Sequence, residues 1–200
     1  GTKACLDCHE EQPATLEGTK HWMKNDSHTP NAQKGCESCH GAGSAHIDNA
    51  DNNKKGSVVN LVTFGEESKF PAFQQNEKCL ACHEKNRSGW KGTKHHNKGV
   101  ACADCHKIHG KAASKQLKSE NEVELCGKCH GEQKAEMQKP SHHPVREGRI
   151  KCSDCHNPHG GDGEKNMKSP TLNDLCYKCH AEKRGPFMWD HAPARENCAT

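Results

Sequence analysis

The sequence predicts a fold of short α-helices and irregular segments, with little or no β-structure, built around bound groups. Two observations predict it. Leu, Ile, Val and Phe make up about a tenth of the 200 residues, whereas an apolar core needs far more. Cys and His are abundant instead, at 15 and 17 residues, and nearly all the cysteines recur in one short motif. Prosthetic groups, rather than side chains, must therefore supply the interior.

That motif is Cys-x-x-Cys-His, and it occurs seven times. It is the attachment signature of c-type haem, because two thiols at this spacing add to the vinyl groups of one porphyrin and the next imidazole reaches the iron. A zinc ribbon or a thiol redox pair needs no His at that position, and a disulfide framework does not explain the repeated local pairing. The seven copies are Cys5/Cys8/His9, Cys36/Cys39/His40, Cys79/Cys82/His83, Cys102/Cys105/His106, Cys126/Cys129/His130, Cys152/Cys155/His156 and Cys176/Cys179/His180.

The fifteenth cysteine, Cys198, stands where the repeat described below places the first cysteine of a further motif. We therefore expect haem c at seven complete sites and at an eighth that begins at Cys198, with the native chain continuing beyond Thr200. A free thiol is the alternative. Each ferric haem with two ionised propionates adds about one negative charge. The formal charge of +3 therefore becomes negative once the haems are bound.

A second histidine is available for every motif. Ten histidines lie outside the motifs, enough to give each of seven irons a ligand on its far side, whereas four Met are too few for a His/Met scheme. An iron left open to substrate is not indicated. The predicted distal ligands are His21, His46, His95, His109, His143, His159 and His191, with His28, His96 and His142 in reserve. If His191 serves the eighth haem, His28 takes its place.

These histidines follow an internal repeat of 50 residues. Cys102 and Cys152 begin equivalent motifs, which are followed at the same spacing by His109 and His159. The string Gly-Thr-Lys-His ends at His21 and again at His95, which marks these two as equivalent. We therefore expect a single multihaem domain over residues 1–200, built of repeated two-haem units over residues 1–90, 91–140 and 141–190.

Local patterns predict a few elements between the motifs. Ser119-x-x-Glu122 and Thr171-x-x-Asp174 are capping-box patterns that predict short helices leading into the fifth and seventh motifs. Residues 48–60 are polar and predict a mobile loop. Residues 58–62 carry a strand signal too short for a sheet of consequence. No segment is apolar for long enough to span a bilayer, and no basic stripe indicates nucleic acid.

Four longer strings resemble the decahaem periplasmic cytochromes of the MtrA/DmsE type, and the resemblance runs along the whole chain. They are CESCHGAGSAH (36–46), SHHPVREG (141–148), CSDCHNPHG (152–160) and GPFMWDHAP (185–193). The resemblance implies a multihaem cytochrome c, an elongated wire of bis-His haems. Some members lie inside an outer-membrane β-barrel porin and pass electrons to an extracellular multihaem cytochrome, and others supply a terminal reductase. An octahaem member of another porin–cytochrome system is the alternative.

The sequence and this resemblance predict a periplasmic electron carrier, associated with the outer membrane, rather than an enzyme. The expected partners are the porin, the extracellular cytochrome, and a periplasmic or inner-membrane quinol-linked cytochrome as electron donor. The many Lys, Glu, Asn and Gly residues suit a water-lined barrel better than lipid. A soluble periplasmic donor to a terminal reductase is the alternative. A multihaem reductase is a third reading, which would require one iron open to substrate.

Overall fold

The computed structural model describes residues 1–51, 61–110, 112–189 and 192–199. The helices in these ranges are short, because no segment offers the sustained apolar face that stabilises a long helix. The longest of them has nine residues. They are α1 (Thr2–Leu6), α2 (Gln12–Leu16), α3 (Cys36–His40), α4 (Ser44–Asp51), α5 (Ala72–Leu80), α6 (Glu84–Trp90), α7 (Lys94–Asn97), α8 (Cys102–Cys105), α9 (Glu122–Cys126), α10 (Gly131–Glu136), α11 (Cys152–Cys155), α12 (Leu172–Cys176) and α13 (Ala192–Glu196).

Extended structure in the described ranges is limited to two isolated antiparallel bridges. They join His106 to Leu117 and His156 to Met167, at equivalent positions of the repeat. Single 3-10 turns occupy Lys20–Trp22, Ser114–Gln116, Glu164–Asn166 and Ala181–Lys183. The prediction of short helices with little or no β-structure is confirmed.

Two local predictions were wrong where the structure describes them. Residues 48–51, expected in a mobile loop, form the end of α4, and residues 52–60 lie outside the described ranges. Leu61 and Val62, expected in a strand, belong to none, and residues 58–60 lie outside the described ranges. Val62 N instead donates to the carbonyl of His40 at 2.8 Å. A haem motif therefore holds this segment, which explains why it needs no neighbouring strand.

Of the two predicted helix starts, that of α12 is confirmed and that of α9 was placed two residues too early. Helix α12 begins as expected, because Thr171 Oγ1 accepts a hydrogen bond from Asp174 N at 3.1 Å. Helix α9 forms in the expected place, but its cap is Asn121, whose Oδ1 accepts from Val123 N at 2.9 Å. Ser119 therefore lies outside the helix. Asn caps a helix as well as Ser does, so the later of the two residues sets the start.

Few apolar side chains are buried. Among the residues that the structure describes, the buried apolar ones are Val62, Leu80, Trp90, Ala101 and Leu175, and none of them is completely enclosed. Five side chains cannot stabilise a chain of 200 residues by burial alone. The interior must therefore be completed by groups other than side chains.

The chain divides into two compact units. Unit 1 comprises Gly1–Arg87 and Lys98–Glu120 and holds the first four motifs; unit 2 comprises Ser88–Asn97 and Asn121–Thr200 and holds the other three. Within unit 2 the backbones of Gly89 and Gly160 touch, so that a Cβ at Gly160 would clash with the Gly89 carbonyl. Gly160 also has φ +122°, a conformation that favours glycine. No helix in the described part of the chain is long and apolar enough to cross a membrane.

Candidate haem-binding sites

The motifs, numbered 1 to 7 in chain order, are built in two alternating ways. In motifs 1, 3, 5 and 7 the first cysteine lies in the last turn of a helix; these helices are α1, α5, α9 and α12. In motifs 2, 4 and 6 the first cysteine begins the helix; these helices are α3, α8 and α11. In motifs 4 and 6 the aspartate between the cysteines reaches back, so that Asp104 and Asp154 accept from Ala101 N and Lys151 N at 2.8 Å each. The seven motifs therefore form two structural classes, which we call odd and even.

Five motif histidines each face one histidine from outside the motifs. The ring centroids are 6.4 Å apart for His9–His46, 6.1 Å for His83–His21, 6.2 Å for His40–His109, 6.0 Å for His130–His95 and 6.4 Å for His180–His143. Two imidazoles bound about 2 Å from one metal ion on opposite sides have ring centres roughly 6 Å apart. The residues present therefore fit one iron between each pair of rings, as a bis-His haem requires.

Where two histidines are adjacent in sequence, only one of them faces a motif. His95 faces His130, whereas the ring of His96 packs against Trp90 and its Nδ1 lies 3.2 Å from Asn97 Oδ1. His143 faces His180, whereas His142 is held by other groups: its Nδ1 donates to the Lys139 carbonyl at 2.5 Å and its Nε2 lies 3.2 Å from Glu147. The sequence repeat had favoured His95, and His143 was likewise the member predicted from the sequence.

The remaining candidates have different surroundings. His28 is exposed, and its Nδ1 lies 3.1 Å from Asp26 Oδ1. His159 packs against the buried Trp90, with ring centroids 6.3 Å apart. His191 lies outside the described residues. The assignment of His159 and His191 as distal ligands is therefore a prediction that this geometry leaves open.

Backbone carbonyls hold all three proximal imidazoles of the even motifs. Nδ1 of His40 donates to the Val62 carbonyl at 2.8 Å. Nδ1 of His106 and of His156 donate to the carbonyls of Lys115 and Lys165, at 3.1 and 3.0 Å. An N–H on Nδ1 leaves the lone pair on Nε2, which is the tautomer that binds a metal ion, and it makes the ligand more basic.

The carbonyls of Lys115 and Lys165 belong to turns with an unusual backbone conformation. Lys115 and Lys165 have φ values of 57° and 54°, and the residues that follow them, Gln116 and Asn166, have 57° and 56°. A non-glycine residue in this region costs on the order of 1 kcal/mol. The strain recurs at equivalent positions of the repeat, and each time it turns a carbonyl toward a motif histidine.

The distal histidines are held less uniformly. His109 Nδ1 lies 2.8 Å from Thr15 Oγ1, whose own hydroxyl donates to the Gln12 carbonyl at 2.6 Å. Thr15 must therefore accept from the histidine. His95 Nδ1 donates to the Pro158 carbonyl at 3.2 Å. The Nδ1 atoms of His21 and His46, in contrast, are buried without a hydrogen-bond partner.

Burial also favours the ligating form of two of these rings. It lowers the pKa of His21, with a further contribution from the neighbouring His83. It lowers the pKa of His109 in the same way, with a contribution from His40. A neutral imidazole is the form that binds a metal ion, so both distal rings are held ready for ligation.

The first cysteines of neighbouring motifs approach each other in pairs. The Cys79 thiol donates to Cys102, which raises the pKa of Cys79 and lowers that of Cys102. In the same way a hydrogen bond from Cys126 lowers the pKa of Cys152 to about 7. Burial and then the neighbouring Cys36 thiol raise the pKa of Cys5. The attachment points of different motifs therefore lie side by side.

Haems that form the core should be attached to cysteines in the interior. The second cysteines of the odd motifs do not lie there. All four of them, Cys8, Cys82, Cys129 and Cys179, are exposed. The reason is local, because each odd helix ends at its first cysteine or one residue later and the second cysteine follows in a turn. In that turn the N–H of the second cysteine donates to the carbonyl of the first, at 3.4 Å in motif 1 and 3.2 Å in the other three.

The even motifs place their second cysteines differently. Cys39 and Cys105 are half-buried, whereas Cys155 is exposed, although it ends α11 just as Cys105 ends α8. An exposed thiol is open to reaction with a porphyrin vinyl group, so exposure is compatible with attachment at the edge of a haem. The role of these cysteines stays a prediction, and the interior formed by the haems must begin on the side of the first cysteines.

Several of the supporting groups escape sequence analysis. The carbonyls of Val62, Lys115 and Lys165 carry no side-chain signal, because every residue has one. Thr15 follows motif 1 in sequence but serves His109, 94 residues away. The sequence carries a partial signal of the alternation between odd and even motifs. Leucine precedes the first cysteine in motifs 5 and 7 and not in motifs 2, 4 and 6.

Comparison with known proteins identifies the family. The doubled CXXCH motif family matches residues 142–185, and the NrfB-like cytochrome c-type protein family matches residues 36–129. The multiheme cytochrome MtrA of Shewanella baltica is 41% identical over 200 residues, which cover 98% of this chain and 58% of that protein. This chain belongs to the MtrA-type multihaem cytochromes c. The family assignment from the sequence is therefore confirmed.

A second relative of this MtrA-type chain comes from another organism. The cytochrome c-type protein NrfB of Haemophilus influenzae is 31% identical over 161 residues, which cover 68% of each chain. Both relatives are cytochromes, and together with the two family matches and the Cys-x-x-Cys-His motifs they support haem c binding by this chain. It spans 58% of the length of the Shewanella MtrA, so the partners of the whole protein are a matter of proposal.

Proposed function

We propose that this chain relays electrons along a row of bis-His haems across the outer membrane, within a porin–cytochrome complex that serves extracellular electron transfer. The observation that carries the proposal is the set of five histidine pairs at 6.0–6.4 Å. An iron with two protein ligands has no free position for a substrate, so its chemistry is limited to electron transfer. When bound, haem supplies an iron that alternates between ferric and ferrous forms and carries one electron.

The proposed attachment residues are the fourteen motif cysteines, the exposed ones included, and Cys198. The proposed proximal ligands are the seven motif histidines. The proposed distal ligands keep the set predicted from sequence, namely His21, His46, His95, His109, His143, His159 and His191. For the first five of these, the ring spacing described above supports the assignment.

The proposed location is the periplasm, with the chain sheathed by a porin. Two findings support it: the identity to MtrA over 98% of this chain, and the scarcity of apolar residues, which suits a water-lined barrel. The electron donor would be a periplasmic or inner-membrane quinol-linked cytochrome, and the acceptor an extracellular multihaem cytochrome.

Low-temperature EPR of the holoprotein tests the ligation. We expect low-spin ferric signals throughout, because two imidazoles give a strong axial field. A high-spin ferric signal from one haem per chain would contradict the proposal and support a multihaem reductase instead. The mass of the denatured protein counts the haems independently of their ligands.

Cell fractionation tests the location. A sheathed cytochrome sediments with outer membranes and co-purifies with a barrel protein in detergent. Recovery wholly in the periplasmic extract, with no barrel protein, would overturn the conduit.

A specific observation favours a second function, a soluble periplasmic electron donor to a terminal reductase. The NrfB-like family matches residues 36–129, and NrfB is covered over 68% of its length. This function requires the same bis-His haems, so EPR does not separate it from the conduit. The fractionation experiment does.

A further inference from the structure

The helices of the even motifs begin without a side-chain acceptor at the N-cap. The residues there are Gly35, Ala101 and Lys151, and in α8 and α11 the aspartate between the cysteines accepts only from the N-cap N–H. The first N–H groups of a helix have no partner within it, and leaving them unpaired in a partly buried site costs about 1 kcal/mol or more. These three helices therefore need an acceptor from elsewhere in the chain.

The preceding odd motif supplies that acceptor. Cys102 N donates to Asn76 Oδ1 at 2.7 Å, and Cys36 N donates to Thr2 Oγ1 at 3.4 Å. Asn76 and Thr2 each lie three residues before the first cysteine of their own motif, on α5 and α1. At motif 6, both Ser153 N and Ser153 Oγ donate to the Glu122 carboxylate of α9, at 2.8 and 2.7 Å.

Asn76 makes two hydrogen bonds to the segment that begins helix α8. Besides accepting from Cys102 N, it donates through Nδ2 to the Val100 carbonyl at 2.9 Å, and it is only 4% exposed. Asn173, three residues before Cys176, repeats the arrangement. It accepts from Cys198 N at 2.9 Å and donates to the Arg195 carbonyl at 2.7 Å. Cys198 is thus held by motif 7 as Cys102 is held by motif 3.

We propose that Thr2, Asn76, Glu122 and Asn173, which we call the clasp residues, are positioning residues that join the haem motifs in pairs. The pairs are motifs 1 and 2, motifs 3 and 4, motifs 5 and 6, and motif 7 with Cys198. Thr2, Asn76 and Glu122 each cap the start of the second helix from the first, and Asn173 accepts from Cys198 N in a similar way. It thereby fixes the relative position of two attachment cysteines, and through them of two haems.

Thiol contacts support the same pairs independently of these hydrogen bonds, and helix packing is compatible with them. Helix α1 packs against α3, α5 against α8, and α9 against α11, while α3 also packs against α5 of the next pair. Gly35, directly before Cys36, has φ +59°, and a Cβ at this position would clash with Thr2 Oγ1. The first cysteines that lie side by side are those of the clasped motifs, such as Cys79 with Cys102.

The consequence for electron transfer rests on the proposed haem ligation. Within a clasped pair, one electron passes from a ferrous to a ferric iron, with no bond made or broken. The rate of this exchange, and the effect of one iron's charge on its neighbour, both depend on their separation. We therefore expect each clasped pair to behave as a coupled two-electron unit, whose coupling the clasp residue controls.

Substitutions at Thr2 test the proposal with little risk to folding. Thr2→Val keeps the shape and removes the acceptor, whereas Thr2→Ser keeps the acceptor. In Thr2→Val we expect a full complement of haems by mass and low-spin EPR. Only the haems of motifs 1 and 2 should show shifted haem-methyl signals in paramagnetic NMR. The equilibrium that distributes an electron between these two haems should also change. The expected change is about two- to tenfold, the worth of one hydrogen bond. Thr2→Ser should restore both readouts.

Asn76→Leu extends the test to haems 3 and 4, with a larger expected change because two hydrogen bonds are lost. If Thr2→Val leaves haems 1 and 2 unchanged, or perturbs all haems equally, the proposal is overturned. Loss of haems from Asn76→Leu does not affect this decision, because Thr2→Val makes it alone. A high-spin signal in the unmodified protein would contradict the proposed ligation, whereas the paired NMR response tests the clasp itself.

Discussion

The odd and even motifs share one signature but differ in how the chain supports them. An odd helix ends at or just after its first cysteine and can have its own start signal, such as Asn121 in α9 or Thr171 in α12. An even helix begins at its first cysteine and is capped from a distance. Carbonyls hold the proximal imidazoles of the even motifs, and the structure describes no such bond for His9, His83 and His130. Identical motifs therefore do not make identical sites, because the segments around them hydrogen-bond some of the proposed ligands and not others.

The difference is greatest within unit 1. The haem at motif 2 would have both ligands hydrogen-bonded, His40 to Val62 and His109 to Thr15. The distal ligands proposed for motifs 1 and 3, His46 and His21, have buried Nδ1 atoms without a partner. A more basic imidazole stabilises the ferric state, so the two classes should differ in reduction potential.

Removal of a distal ligand should have the largest effect in either class. His46→Ala at motif 1 and His109→Ala at motif 2 should each convert one haem from low spin to high spin, since the iron loses one of two axial ligands. EPR measures the conversion. His28→Ala and His142→Ala are the matched controls and should leave every haem low-spin. A high-spin haem in either control would show that the distal set is assigned wrongly.

The unmodified protein should already separate the two classes. We expect the haem at motif 2 to have a potential lower than those at motifs 1 and 3 by roughly 40–120 mV, the equivalent of two hydrogen bonds. Redox titration followed by NMR, with each haem assigned, measures this order. Equal potentials at the three motifs would mean that the hydrogen bonds to Nδ1 do not tune the irons.

Thr15 provides a single-residue version of the same test. Thr15→Val removes the acceptor for His109 and should raise the potential at motif 2 by roughly 20–60 mV. Thr15→Ser keeps the hydroxyl and should leave the potential unchanged. The haem at motif 2 should stay low-spin in both variants. A shift of the same size in Thr15→Ser would assign the effect to packing rather than to the hydrogen bond.

The smallest expected effect concerns the caps of the odd helices. Asn121→Ala should lower the free energy of unfolding by about 1 kcal/mol, because two N–H groups at the start of α9 lose their acceptor. Ser119→Ala should have little effect, since Ser119 lies outside the helix. Thermal unfolding of the two holoproteins compares them. Equal losses would place the start of α9 at Ser119 after all.

The sequence predicted the features that reside in side-chain type and spacing. The seven motifs indicated haem c, four longer strings were sufficient for the family, and the repeat favoured His95 over His96. The capping pattern at Thr171 was sufficient for α12. The groups that accept hydrogen bonds from the histidines could not be predicted, because Val62, Lys115 and Lys165 contribute backbone carbonyls, which every residue has. The clasp residues left a faint signal, a polar residue three positions before the first cysteine in motifs 1, 3 and 7, which has meaning only once the partner helix is known.

The capping of one helix by another has a consequence for protein wires built on this pattern. An even helix that loses its preceding odd helix loses the acceptor of an N–H group at its start, whereas no described hydrogen bond caps an odd helix from the even helix that follows it. Segments for a longer or shorter wire are therefore best exchanged as clasped pairs, cut between an even motif and the odd motif that follows. A chimera divided inside a pair, between Cys79 and Cys102 for instance, would separate Asn76 from the helix it caps. The proposed clasps make a pair of haem motifs the modular unit of this chain.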